Sequence, residues 1–63
     1  MDIQAEMTAI RTRIASAGVS MLRVCAEAGI DKAQPSRWEL HAQMPRMDTW
    51  DKFTKAVDRL VPK

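Results

Sequence analysis

Sixty-three residues, 46% of them hydrophobic and 29% charged, suffice for a single globular domain spanning 1–63 with a modest core, and for nothing larger. No apolar run approaches the roughly 18 residues of a membrane span and no signal-peptide core is present, so neither a membrane nor a secreted protein is expected. A single cysteine rules out an internal disulfide and fits a reducing cytoplasm, while a net charge of +2 is too mild to demand a polyanionic partner by itself.

The first predicted helix covers residues 2–17. Ile3, Met7, Ile10 and Ile14 step by four, three and four and form a narrow apolar stripe. Asp2 and Glu6 near its start and Arg11 and Arg13 near its end complement the helix dipole, and Gly18 ends it. This helix reads as scaffold, and its arginines as surface residues rather than contacts.

The stretch from Ser20 to Leu40 reads as a short helix, a glycine turn and a second short helix. Ser20 caps the first, about 21–28, and Met21, Val24, Cys25 and Ala28 at i, i+3, i+4 and i+7 share one face. Leu22 lies off that stripe and Arg23 on the outer side. Gly29 supplies the positive φ that ends a helix. Asp31 is a cap candidate for the next helix, whose outer residues are Lys32, Ala33, Gln34, Ser36 and Arg37, with Trp38 facing the core. Pro35 makes the start ambiguous. A helix from Asp31 loses one i→i−4 bond at Pro35, whereas a start at Gln34 puts the proline at the favoured first position. The delayed or irregular start is the expectation, with Lys32 and Ala33 in a loop ahead of it.

Residues 40–47 connect to the last helix. His41 stands where a glycine often closes a helix, so the helix is expected to run on to about Gln43. Met44 and Pro45 anchor the loop, and Arg46 is exposed on it. Asp48 or Thr49 caps the final helix, about 49–61, in which Trp50, Phe53, Val57 and Leu60 give the strongest amphipathic signal of the chain. Lys52, Lys55 and Arg59 line its other side. Val61 stays exposed and Pro62 stops the helix.

Charge is unevenly distributed. Residues 1–31 carry three basic and four acidic side chains, residues 32–63 seven and four. The positive excess therefore begins at the second helix of the Ser20–Leu40 pair, where contacts to phosphates would be wanted. No catalytic arrangement accompanies it. Cys25 lies on a buried helix face and reads as inert, His41 has no partner at ligand spacing, and the two glycines cannot build a phosphate loop. No metal and no cofactor are expected, nor is a small-molecule substrate.

The run V-S-x-x-x-V-C-x-x-A-G-I-D-K-x-Q-x-S-R-W-E, Val19 to Glu39, resembles the helix-turn-helix of the phage repressor and Cro type. The downstream M-P-x-M-D-T-W-x-K-F-x-x-A-V, Met44 to Val57, resembles the loop and following helix of that family. Departures are Cys25 for a usual alanine, Pro35 for an aliphatic residue, His41 near a usual glycine, and Met21 where many relatives carry a phosphate-binding glutamine. The resemblance implies an all-α domain of four helices with the helix-turn-helix at about 20–40, and a prokaryotic or phage-encoded regulator of transcription. Its partner would be double-stranded DNA and its third helix would enter the major groove. Arg37 would then read a base edge, Lys32, Ala33, Gln34 and Ser36 would add base or phosphate contacts, and Arg23, Arg46 and His41 would grip the backbone. A homodimer or a partner protein would supply a second half-site. The alternative is a helical protein-interaction module that keeps this fold without binding DNA, which Met21, Pro35 and the small net charge favour.

Overall fold

A computed structural model describes residues 1–61, and these form four helices with no strand among them. They are α1 (Ile3–Ser16), α2 (Met21–Ala28), α3 (Ala33–His41) and α4 (Met47–Leu60). α1 begins at a true side-chain cap: Asp2 Oδ1 accepts from the backbone N–H groups of Gln4 and Ala5 at 3.1 and 3.2 Å. Ser20 does the same for α2, accepting from Arg23 N–H at 3.1 Å.

Both α1 and α2 end in the same way. Gly18 and Gly29 each sit at φ 72°, and the residue after each donates back over the turn, Val19 to Ile14 at 2.9 Å and Ile30 to Cys25 at 3.0 Å. That closure satisfies carbonyls that a helix end otherwise leaves open.

α3 begins at Ala33, one residue ahead of the later start that the sequence favoured and two after the earlier one. The cap position is Lys32, which makes no side-chain cap bond; Asp31, one residue earlier, still reaches the helix start, its Oδ1 accepting from Ala33 N–H at 2.7 Å. The Asp31 carbonyl, which Pro35 has no N–H to reach, is taken instead by Gln34 N–H at 3.0 Å. A tightened first turn thus absorbs the proline with no carbonyl left over. The far end also differs from expectation. α3 stops at His41 instead of running to Gln43, and Ala42 takes the left-handed conformation at φ 48°.

α4 starts at Met47, two residues before the expected start, because the extended Arg46 (φ −66°, ψ 148°) turns the chain into the helix without a side-chain cap. Asp48 is inside the first turn, accepting from Thr49 N–H at 2.9 Å. Val61, expected on the surface, is 8% exposed and packs into the core, since its N–H continues the helix to Val57 at 2.8 Å. Pro62, expected to stop this helix, lies outside the described residues.

One core joins the four helices: Ile3, Met7, Ile10 and Ile14 from α1, Val24 from α2, Trp38 from α3, and Phe53, Ala56 and Val57 from α4. α1 packs on α3, and α2 on α4. Met44, expected to anchor the loop, is half exposed, whereas its neighbour Pro45 is partly covered.

Candidate nucleic-acid interface

α3 is fastened from behind and open in front. Pro35 and Trp38, three apart, turn into the core, and both are fully buried. Trp38 meets Phe53 edge-on at 5.2 Å between ring centroids and Trp50 at 5.8 Å, so α4 holds α3 through three aromatic rings. From the α1 side, Gln4 Nε2 donates to the Glu39 carbonyl at 2.8 Å, and Arg11 Nε donates to both carboxylate oxygens of Glu39 at 2.8 Å. This two-pronged bond also pushes the Arg11 guanidinium above its ordinary pKa. The opposite side of α3 carries Ser36, Arg37 and Leu40, all exposed, with Ala33 half-buried at its start.

The charged residues divide into two sets. Arg11 pairs with Glu39, Arg13 with Asp58 and Arg59 with Glu27, at 2.6, 2.9 and 2.9 Å. Each joins two different helices. Surface pairs of this kind contribute only about 0–1 kcal/mol each, but they decide where positive charge is left over. Among the described residues, Arg23, Lys32, Arg37, Arg46, Lys52 and Lys55 make no ion pair. All three arginines of that set belong to the residues singled out from the sequence, whereas the three paired arginines do not.

The structure gathers some of the singled-out residues and leaves others apart. Gln34, Arg37 and Arg46 line one cleft of about 200 Å³ beside the α3–α4 loop, together with Gln43, Pro45 and Thr49. Gln43 was not singled out in the sequence and Thr49 was read there only as a cap candidate for the last helix; neither carried a local signal that the loop would bring it to Arg37 and Arg46. α4 begins at this cleft with no side-chain cap at Arg46, and the Asp48 carboxylate in its first turn accepts from Thr49 N–H at 2.9 Å. Ser36 lies with Leu40 in a second depression, and Lys32 in a third with Leu22, Cys25, Ala26 and Ile30. Arg23, Ala33 and His41 line none of these three; Arg23 and His41 are exposed on α2 and at the end of α3.

Cys25 is 1% exposed and burial pushes its thiol pKa up, which disfavours the reactive thiolate. Among the described residues no group of three or more His, Cys, Asp or Glu is placed to hold a metal ion, and no helix is long and apolar enough to cross a membrane.

Comparison of the chain with protein-family models, with curated proteins and with solved structures finds no match.

Proposed function

We propose that this chain binds double-stranded DNA in a sequence-specific manner and acts as a transcriptional regulator, with α2, the Gly29 turn and α3 serving as a helix-turn-helix of the phage repressor and Cro type. The observation that carries this reading is the partition of the arginines. Those that brace the scaffold are neutralised by carboxylates on other helices, and those on α2, the outer face of α3 and the following loop are not. The second set can meet a polyanion without first breaking an ion pair.

In this mechanism α3 enters the major groove. Arg37 donates two hydrogen bonds to one base, with guanine O6 and N7 as the matching acceptors. Gln34 and Ser36 contact neighbouring base edges or phosphates, and Ala33 allows close approach at the helix start. Arg46, Arg23, Lys32 and His41 bind flanking phosphates and set the register. Arg46 shares its cleft with Arg37 and Gln34, so a phosphate bound there would lie beside the base-reading face of α3. One such helix reads few base pairs, so a second copy or a partner protein supplies the other half-site.

Selection of bound duplexes from a random pool tests the reading. A recurring motif with two spaced halves is the expected result. A protein-interaction module is the second reading, favoured by the groove beside the exposed Leu22; it predicts that no duplex is enriched.

A further inference from the structure

Leu40 is 77% exposed, the highest value of any large hydrophobic side chain among the described residues. Its position in α3 gives that exposure a direction. At roughly 100° per residue, Ala33, Ser36, Arg37 and Leu40 fall at i, i+3, i+4 and i+7, on the face opposite the buried Pro35 and Trp38. Leu40 therefore sits near the centre of the outward face, one turn beyond Arg37 and Ser36, and it shares a surface depression with Ser36. Besides Ser36, that depression is lined by Arg11 and Glu39, which pair with each other, so the leucine is bordered by polar groups and a neutralised ion pair. An isolated leucine among such groups does not make an apolar patch of the size that protein partners use. In the major groove one feature is apolar, the 5-methyl group of thymine, and every other edge offers a donor or an acceptor.

We propose that Leu40 is a specificity-determining residue that packs against a thymine methyl group in the half-site read by α3. The inference rests on the DNA-binding reading above and adds to it a base identity adjoining the one that Arg37 reads. Leucine has no donor to satisfy, so it accepts thymine and excludes nothing by hydrogen bonding. Its selectivity comes from the area of methyl group withdrawn from water.

The test uses the intact chain and a duplex recovered by selection, with each thymine replaced in turn by uracil, which lacks only that methyl group. Affinity is expected to fall about fourfold at one position per half-site, the loss that one buried methyl group implies, and to be unchanged at the others. Leu40→Ala should bind the thymine duplex as weakly as the wild type binds the uracil one, and should no longer distinguish them. Being exposed on a helix, this position accepts alanine without loss of fold, which a thermal melt verifies. Equal wild-type affinity for every thymine and uracil pair would overturn the inference while leaving DNA binding intact. So would discrimination that persists in Leu40→Ala, since another side chain would then touch the methyl group. If no duplex is bound at all, the underlying reading and this inference fall together.

Discussion

Two arginines with the same side chain and opposite circumstances show how function separates from structure in this chain. Arg59 is held by Glu27, its Nε at 2.9 Å from a carboxylate oxygen, whereas Arg37 is exposed and makes no ion pair among the described residues. Arg37→Ala should cost about 1–3 kcal/mol at the cognate site and relax preference at one base pair; Arg59→Ala should leave site affinity unchanged. Affinities measured on the selected duplex and its single-base variants check both, and an equal loss on every sequence would make Arg37 a phosphate contact. Backbone conformation gives a second residue-scale contrast. Gly29 and Ala42 both occupy the left-handed region, at φ 72° and φ 48°, but only one is glycine. An L-residue there costs roughly 1–2 kcal/mol. Ala42→Gly relieves that strain, partly offset by the looser unfolded chain, and should stabilise the domain by up to about 1 kcal/mol. Gly29→Ala should destabilise it by about 1 kcal/mol through φ alone, since an added Cβ would meet nothing within 4 Å. Thermal melts should move in opposite directions, by about 4–8 °C per kcal/mol in a domain of this size.

At the scale of elements, the amphipathic stripes of α1 and α4 and the two glycine stops were legible in the sequence, because each depends on residues within one or two turns of each other. The start of α3 was not. Whether Pro35 is costly depends on which donor takes the Asp31 carbonyl, and the Gln34 N–H that does so belongs to a turn tighter than the regular pattern. The left-handed Ala42 likewise carried no local signal, since glycine is the residue that announces such a position. The three ion pairs were invisible for another reason: each joins side chains far apart in the chain, as Arg13 to Asp58, and the fold alone brings them together. Their consequence for the candidate site, that Arg23, Arg37 and Arg46 are the arginines left over, was therefore out of reach as well. The tightened α3 start makes its own prediction. Asp31→Ala removes the acceptor for Ala33 N–H and should cost about 1 kcal/mol of stability, while Asp31→Asn keeps the acceptor and most of the effect. Urea unfolding of the two variants distinguishes a cap from a charge effect, because equal losses would point to the charge.

The molecule as a whole has little stability to lose. A chain of this length buries only roughly 60% of its unfolded surface, so the aromatic contact between α3 and α4 matters beyond its own area. Phe53 is fully buried against Trp38 and Trp50. Phe53→Ala should cost about 3–5 kcal/mol, enough to leave much of the chain unfolded at 25 °C by circular dichroism. A fully folded variant would mean that Trp38 is held chiefly by α1. Within this small frame the three arginines that brace the scaffold are paired with carboxylates, and the cations outside those pairs, among the described residues, include those around α3. The most direct test is the salt dependence of duplex binding. For the wild type, log K against log salt should fall with a slope of about −3 or steeper, as expected when Arg23, Lys32 and Arg46 each displace a counterion. Replacing those three with alanine should make the slope shallower by about three units, and Arg59→Ala should leave it as it was. A wild-type slope near zero, or the same change from Arg59→Ala as from the triple variant, would contradict the account.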